Sequence, residues 1–451
     1  MSDSLTQRLG RFAAELAYDD LPAEVQDKTQ ALLLHGLAVG LTSSDLAPPR
    51  VARAVVAAAE PLATGARILM SGERVTVGGA IYANAALLHA RNADDTYHTA
   101  THVGCAVIPV ALAVAETAAA SERPVSGRDV LAAVAAGYEV SCRCTGELYN
   151  WSTRAGFRST SIYDPFGAAA TAGRLLRLDP VQMADALGLA ASGACGLLQG
   201  LGESKLDWKL QPSQAARAGY LAAVLAQAGV TGPRLALEGP AGFYRAFCGV
   251  DDPPDVTADL GRHWELLSVA SKLFPVAMYN QTPLRAVLQL RREHSVDPAQ
   301  VDRVEVEMAE FEVRFPGATF AGPFEPGLPP PSSIPHVVAT GLARGDGTLA
   351  SLSATDDPTM LSLVPRVTVT GSATRPMSTC RIVITLKDGR SVSGEVDDGT
   401  AYYYFDWQRA VAATRELQVE SPLDLEPLRA AVEQLDRAPN VAAIVTACLR
   451  S

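Results

Sequence analysis

Residues 89–102, HARNADDTYHTATH, concentrate groups that can move protons or bind ions. The segment holds three of the seven histidines and two adjacent aspartates, Asp94 and Asp95. His98 and His102 have the spacing that can place two imidazoles on one helix face for a metal. The glutamate of a metalloprotease motif is missing between them, and neighbouring aspartates in regular structure point apart. Three interpretations stay open: a metal site, a capped polar loop, or a site for acid–base catalysis without a metal.

Further segments carry cations and amides suited to a substrate with carboxylates. Lys205 and Lys209 precede an alanine-rich helical pattern, and Arg158 precedes residues typical of a helix start. Lys272 begins a segment that ends, at residues 280–282, in Asn-Gln-Thr. The chain has no Gly-x-Gly-x-x-Gly fingerprint after a strand, no P-loop and no Gly-x-Ser-x-Gly elbow. These absences argue against dinucleotide binding, nucleotide hydrolysis and a serine hydrolase.

The composition is that of a folded protein with a large core, because 48% of the 451 residues are apolar and 19% are charged. This length exceeds what one core usually supports, so two domains are expected. The formal net charge of −11 argues against a nucleic-acid partner. The start lacks a secretory pattern, and the apolar run 103–115 is too short to span a bilayer. With seven scattered cysteines, we expect a cytoplasmic protein with reduced thiols and no membrane partner.

Apolar periodicity predicts the elements that position these groups. Residues 1 to about 265 show helical spacing, clearest at 22–41, and their alanine-rich faces favour close helix packing. Helical spacing returns at about residue 405. We therefore expect a mainly α protein whose large helical domain consists of residues 1–265 and 405–451.

The intervening residues 266–404 have a different pattern. Residues 301–311 and 366–371 alternate as half-buried strands do, and 380–396 predicts a hairpin. Seven prolines in 315–335 exclude regular structure there, and a loop this long is usually functional or disordered. The expected second domain is thus a smaller α+β module inserted before the C-terminal helices.

Several blocks, in this order, resemble the MmgE/PrpD family, which includes 2-methylcitrate dehydratase, cis-aconitate decarboxylase and iminodisuccinate epimerase. The blocks include LLLHGLAVGL, NAALLHARNADDTYHTATHVGCAVIPVALAVAE, GFRSTSIYDPFGAAATAGRLLRLD, KLQPSQAARAGYLAAVLAQAGV, KLFPVAMYNQT and SIPHVVATGLARG. They cover most of residues 30–345. The resemblance implies a large helical domain, a smaller α+β lid domain, a homodimer, and activity without a metal or an organic cofactor.

The resemblance also assigns site residues by position. The positions that match polar residues of the family site are Asp95, Thr96, His102, Lys209, Lys272 and Gln281. Three positions depart: Asn92 stands where an aspartate is usual, Arg158 replaces the histidine of a GFH motif, and His336 replaces the tyrosine usual after Ser-Ile-Pro. The loss of one imidazole and the gain of another suggest altered chemistry.

The family chemistry is proton movement next to a carboxylate or carbonyl, followed by loss of water, loss of CO₂ or reprotonation. The resemblance therefore predicts His102 or His336 as base or acid, because a neutral imidazole titrates near working pH. Lys209, Lys272 and Arg158 would hold carboxylates. The further substrate-binding residues would be Asn92, Asp95, Thr96 and Gln281.

A hydro-lyase acting on a small polycarboxylate or related hydroxy acid is the leading interpretation. An epimerase or a decarboxylase on the same scaffold stays open, because the first proton transfer is shared. A third interpretation is a repurposed binding protein, or a specialised biosynthetic enzyme with a larger substrate, because three site positions depart. The hydro-lyase, epimerase and decarboxylase interpretations predict a small carboxylate substrate.

Overall fold

A computed structural model of the chain describes residues 3–98, 101–118, 124–203, 205–325, 330 and 332–450. The chain forms two compact units. The helical unit consists of Met1–Ser271 and Phe405–Ser451, and the insert unit consists of Lys272–Tyr404. Helices dominate the first unit and accompany a small sheet in the second, which confirms the predicted mainly α fold.

Most of the chain lies in regular elements, joined by short 3₁₀ turns. The helices are α1 Leu5–Glu15, α2 Ala23–Leu41, α3 Ala47–Ala59, α4 Val77–His89, α5 Gly104–Ala118, α6 Gly127–Thr145, α7 Tyr149–Arg154, α8 Ser159–Leu175, α9 Pro180–Gly193, α10 Gln199–Gly202, α11 Gln211–Gln227, α12 Met278–His294, α13 Glu310–Val313, α14 Ile334–Arg344, α15 Leu349–Ser353, α16 Pro358–Leu363, α17 Trp407–Leu417, α18 Glu426–Glu433 and α19 Ala442–Ala447. The strands are β1 Pro61–Arg67, β2 Arg74–Val75, β3 Val301–Ala309, β4 Val367–Ser372, β5 Cys380–Leu386 and β6 Ser391–Val396.

Small residues let the central helices of the helical unit pack closely. A Cβ built on Gly137 of α6 would lie 2.9 Å from the carbonyl oxygen of Gly167 on α8. A Cβ built on Gly167 would lie 2.7 Å from the carbonyl oxygen of Gly137. Any side chain at either position would force α6 and α8 apart. The helix predicted at 22–41 is confirmed as α2, which is buried along most of its length.

The helical unit also contains two strands that the helical pattern did not predict. β1 and β2 pair antiparallel, with Arg67 opposite Arg74. Pro61 follows the last turn of α3 closely, and a proline lacks the N–H that would continue a helix. The chain therefore becomes extended here, and the helical prediction for residues 1–265 is wrong over these strands.

The insert unit is built on a four-stranded sheet in the order β4-β3-β5-β6. β3 and β4 are parallel, whereas β5 is antiparallel to β3 and to β6. These strands confirm the predictions at 301–311, 366–371 and 380–396. Val304 and Val306 of β3 are fully buried in a core that α12 and α14 complete.

The proline-rich segment of the insert unit has no regular structure in its described part. Between α13 and α14 the residues that the structure describes form neither helix nor strand, as predicted, but α14 begins at Ile334, inside the predicted range 315–335. Residues 326–329 and 331 of that segment lie outside the described residues.

The cysteines and the apolar helices bear on the environment in which the chain folds. All seven cysteines are free thiols, and Cys195 is the exposed one among them. Within the described residues no helix combines the length and the hydropathy needed to cross a bilayer.

Candidate active site

In the segment that joins α4 to α5, the described residues, 90–98 and 101–103, lie largely in the interior of the helical unit. Thr96 and Ala270 exchange backbone hydrogen bonds of 2.7 and 2.8 Å, which anchor the segment at its centre. Asn92 is buried and has a φ of 59°, a left-handed conformation that asparagine tolerates better than most residues. The hydroxyl of Thr96 is buried and has no hydrogen-bond partner among the described residues. The described residues of this segment other than His98 are therefore ordered by the interior and not by solvent.

The histidine pair considered for a metal does not lie on a helix. Tyr97 and Thr101 pair as a short antiparallel bridge, and α5 begins only at Gly104. His98 instead stacks on the ring of Tyr149, with centroids 5.5 Å apart. The helix face that would have brought His98 and His102 together is absent from the described residues.

His102 is held by its backbone and by one ring nitrogen. Its Nδ1 lies 2.7 Å from the carbonyl oxygen of Asp95, and its backbone N–H donates to Thr160 Oγ1 at 3.1 Å. A carbonyl oxygen can only accept, so the ring proton lies on Nδ1 and the lone pair on Nε2. Asp94 Oδ2 is 3.8 Å from the same Nδ1. The ring is thus oriented with Nε2 as its basic nitrogen.

Asp95 is a buried carboxyl group with two hydrogen-bond donors. The Tyr138 hydroxyl donates a short hydrogen bond to Oδ2, and the backbone N–H of Gly104, the first residue of α5, donates to Oδ1 at 3.1 Å. Burial raises the pKa of Asp95 to about 6, although both hydrogen bonds oppose this shift. The carboxyl group orders the segment, while the backbone carbonyl of the same residue orients His102.

A buried chain of hydrogen bonds runs beside His102. His89 Nδ1 lies 2.7 Å from Asp94 Oδ2, and His89 Nε2 lies 2.7 Å from an Arg158 guanidinium nitrogen. Because an arginine only donates, His89 Nε2 accepts, and Nδ1 donates its proton to Asp94. Burial lowers the pKa of His89 to about 4, and the charge of Arg158 contributes to this shift. His89 is therefore neutral.

Two of the predicted cations contact Trp208. The Lys209 ammonium lies 4.1 Å from the centre of the indole ring and donates to the carbonyl oxygen of Ala90 at 2.7 Å. The Arg158 guanidinium lies 5.2 Å from the same ring and donates to the Trp208 carbonyl. Lys209 and Arg158 are thus brought together with His102 in the helical unit.

Lys28 of α2 is a buried cation that the sequence did not single out. Its ammonium donates to the carbonyl oxygens of Val269 at 2.6 Å and Phe405 at 3.1 Å. Burial lowers the pKa of Lys28 to about 7, and the charge of Asp95 opposes that shift. Lys28 stands between the polar residues Asp27 and Thr29, so the sequence gives no sign that it is buried.

His89, Asp94 and Cys105 bring three potential metal-ligand atoms within 4.8 Å of one another. Both nitrogens of His89 are engaged, by Asp94 and by Arg158, and the Cys105 thiol donates to the His102 carbonyl at 2.9 Å. Burial raises the pKa of Cys105 well above its usual range, so the thiol keeps its proton. A neutral thiol, an engaged imidazole and an adjacent guanidinium are unsuited to a cation.

In the insert unit, Gln281 of α12 is engaged by the segment that follows Lys272. Its Oε1 accepts from the backbone N–H groups of Leu273 and Phe274 at 2.9 and 3.0 Å. Its Nε2 donates to the carbonyl oxygens of Phe274 and Val276 at 2.8 and 3.3 Å. Gln281 thus orders the backbone next to Lys272, whose side chain is buried.

His336 lies in the first turn of α14 and is buried. The Ser333 hydroxyl caps the helix by accepting from the His336 backbone N–H at 3.1 Å. Neither ring nitrogen has a hydrogen-bond partner among the described residues, and the ring contacts Phe324 with centroids 5.2 Å apart. Burial lowers the pKa of His336 to about 4, so the ring is neutral.

Besides Lys28, the residues His89, Asp94 and Tyr138 were not assigned to the site from the sequence. The first two belong to the segment that the sequence singled out, and their spacing is compatible with a contact across a tight turn. Tyr138 gives no such signal, because its contact with Asp95 depends on how α6 packs against the segment.

Comparison with known proteins identifies the family to which this sequence belongs. The model of the MmgE/PrpD N-terminal domain matches residues 7–255, and that of the MmgE/PrpD C-terminal domain matches residues 274–401. A cis-aconitate decarboxylase from Aspergillus terreus (strain NIH 2624 / FGSC A1156) is 27% identical over 419 residues, covering 87% of this chain and 84% of the relative. A cis-aconitate decarboxylase from Mus musculus is 28% identical over 354 residues, covering 74% and 69%. The chain belongs to the MmgE/PrpD family and is an enzyme of that type.

Proposed function

We propose that the protein is a lyase that moves a proton next to a carboxylate or carbonyl of a small polycarboxylate, with His102 as the proton carrier. The observation that carries this proposal is the contact between His102 Nδ1 and the Asp95 carbonyl, which leaves Nε2 as the basic nitrogen. The charge of Asp94, 3.8 Å from Nδ1, would stabilise the imidazolium that forms when Nε2 takes a proton.

The cations supply the second requirement of this chemistry. Negative charge develops on an enediolate when the carbon next to a carboxylate loses a proton or CO₂. Lys209, held 2.7 Å from the Ala90 carbonyl and over Trp208, would offset that charge in the helical unit. We assign Lys272 of the insert unit to a second carboxylate, and the buried hydroxyl of Thr96 to a hydrogen bond with substrate.

His336 is assigned to the second proton transfer. A buried imidazole without a partner within the described residues loses the hydrogen bonds that it would make in water. A substrate oxygen that accepts from, or donates to, this ring would recover them. Because the pKa of His336 is about 4, the ring would act from its neutral form at neutral pH.

Decarboxylation is the first outcome that we propose, because the named relatives from Aspergillus terreus and Mus musculus are cis-aconitate decarboxylases. Dehydration is the second, because the segment FPVAMYNQT resembles the dehydratase branch of the family. Both outcomes require a proton to be moved at the carbon next to a carboxylate.

A single incubation distinguishes these outcomes. The chain is mixed in D₂O with cis-aconitate and with a series of di- and tricarboxylates and hydroxy acids, and the products are followed by NMR. Release of CO₂ with one deuterium in the product indicates a decarboxylase, and loss of water indicates a hydro-lyase. Deuterium exchange without either indicates an epimerase. Binding in a thermal-shift assay without any turnover would support the non-catalytic alternative and contradict the lyase proposal.

Replacement of His102 tests the assigned proton carrier. In His102→Asn the amide can still donate to the Asp95 carbonyl, while the basic nitrogen is removed. We expect kcat to fall by roughly 10²–10⁴-fold, the usual contribution of one acid–base group. His294→Asn, at the exposed end of α12, is the matched control and should retain wild-type turnover. If His102→Asn and His336→Phe both stay within a few-fold of wild type, the assignment is wrong.

A further inference from the structure

We propose that Arg158 is a positioning residue that acts through His89: it keeps the His89 ring neutral with its proton on Nδ1, so that the charge of Asp94 remains available to His102. This inference rests on the proposed role of His102 as proton carrier. It also gives Arg158 a role other than direct contact with a substrate carboxylate.

The placement of Arg158 carries the first step. Arg158 is the residue before the first turn of α8, and its side chain is buried. One terminal nitrogen donates to the Trp208 carbonyl and the other to His89 Nε2 at 2.7 Å. The guanidinium is rigid and planar, so these two bonds fix the direction of the donor that faces His89. Two polar contacts inside the protein therefore hold the side chain in place.

The second step concerns what His89 would do without this donor. A neutral imidazole can carry its proton on either nitrogen, and a charged one carries both. With the proton on Nε2, the lone pair of Nδ1 would face the Asp94 carboxylate at 2.7 Å. With both protons, His89 would become a cation paired to Asp94 and would cancel the charge that faces His102. A guanidinium donor at Nε2 leaves no room for a proton on that nitrogen, which excludes the neutral ring protonated on Nε2. Its positive charge also disfavours the His89 cation.

The third step links this arrangement to His102. The rings of His89 and His102 are 5.0 Å apart between centroids, and both face Asp94 Oδ2, at 2.7 and 3.8 Å. Two imidazoles that share one carboxylate compete for the same proton unless one of them is held neutral. Arg158 holds His89 neutral, and proton uptake is confined to His102.

The test is NMR of the full chain labelled with ¹⁵N-histidine, because long-range ¹H–¹⁵N spectra distinguish the two neutral tautomers and the cation. The His89 signals are assigned by their loss in His89→Gln. In the wild type we expect His89 with its proton on Nδ1 and no titration between pH 5.5 and 8. In Arg158→Met we expect His89 to titrate within that range or to populate both tautomers.

Matched variants separate positioning from general damage. Arg154→Met removes an exposed arginine that lies over Trp151 on the neighbouring helix α7, and the His89 signals should not change. Where Arg158→Met fails to fold, Arg158→Lys replaces it. One ammonium cannot reproduce the two-nitrogen fork, so the same loss of tautomer control is expected.

Two outcomes would overturn the proposal. One is a wild-type His89 that carries its proton on Nε2 or titrates between pH 5.5 and 8. The other is a folded Arg158 variant in which the tautomer and titration of His89 are unchanged. The readout needs no substrate, so failure of the lyase proposal leaves this result standing, and a failure here leaves the turnover assay unaffected.

Discussion

At the residue scale, Asp95 combines two functions that are usually separate. Its backbone carbonyl sets the tautomer of His102, while its carboxyl group accepts from Tyr138 and from the start of α5. A change in the charge of this carboxyl group would therefore act on the order of the segment that carries the base. The pKa of about 6 places that change close to the range in which the enzyme is expected to work.

Asp95 should make the folded state less stable as pH rises from about 4 to 6. Over this range the folded state keeps the proton that an unfolded aspartate releases near its ordinary pKa of 3.8, so the unfolded state binds fewer protons and stability falls. In Asp95→Asn this contribution is absent. We expect the variant to gain roughly 2–3 kcal/mol relative to wild type between pH 4 and pH 7, measured as free energies of unfolding in urea.

Asp45→Asn is the control for this measurement, because Asp45 is exposed and its side chain contacts Arg450 at the surface. An exposed ion pair contributes little to stability, so a pH dependence that Asp95→Asn shows and Asp45→Asn does not belongs to the buried carboxyl group. A flat difference curve for Asp95→Asn as well would mean that Asp95 is ionised throughout this range.

The assignment of His102, Asp95 and Thr96 to the site stays a prediction. The sequence drew attention to these residues because they are concentrated in one short segment. The bond between His89 and Arg158 joins residues 69 positions apart, so it depends on how α4 faces α8, and no spacing rule encodes that.

At the element scale, the predictions succeeded where apolar residues recur at the regular spacing of a helix or a strand. The strands β3 and β5 follow from the regular spacing of their buried apolar residues, and α2 follows from its helical apolar spacing, although it is buried along most of its length. β2 was missed because it has only two residues, and β1 was missed because its exposed and buried residues do not alternate. The close contact of α6 and α8 was expected from alanine-rich faces, but the glycine pair that permits it was not.

Gly104, where α5 begins, should not tolerate a side chain. A Cβ there would lie 2.5 Å from Asp95 Oδ2 and still closer to the Tyr138 hydroxyl. We expect Gly104→Ala to displace both groups, to lower the free energy of unfolding by about 1–3 kcal/mol, and to reduce turnover at least tenfold, measured by thermal unfolding and by the lyase assay.

Gly193→Ala, at the end of α9, is the comparison for this change. Its Cβ would make an ordinary contact of 3.5 Å with Ala218, so the substitution should be neutral or slightly stabilising. Equal behaviour of the two variants would show that the space around Asp95 is not limiting.

At the scale of the whole molecule, two boundaries differ: the composition changes near residue 265, whereas the compact units divide after Ser271. Composition detects where helical periodicity stops, whereas the compact units depend on which contacts each residue makes. Between these boundaries, Glu265–Ser268 form a 3₁₀ turn, and the pairing of Ala270 with Thr96 holds the following residues in the helical unit. The homodimer and the cytoplasmic location stay predictions, and light scattering of the purified chain measures the first.

Removal of the insert unit should leave a chain that still folds. We expect a variant in which a short glycine-serine linker replaces residues 272–404 to unfold cooperatively, as measured by circular dichroism, and to keep the tautomer of His89. It should lack turnover, because Lys272 and His336 are gone. A linker variant without a cooperative transition would mean that the helical unit needs its insertion to fold.

The reason to expect this lies in the contacts of Lys28. One ammonium group donates at most three hydrogen bonds, and here it donates to the backbone just before the insert unit, at Val269, and just after it, at Phe405. The two ends are therefore separated by no more than the span of one cation with its two ligands. The 133 residues of the insert unit therefore begin and end at neighbouring positions of the helical unit. A single recombination event that adds or removes them would leave the course of the remaining chain unchanged.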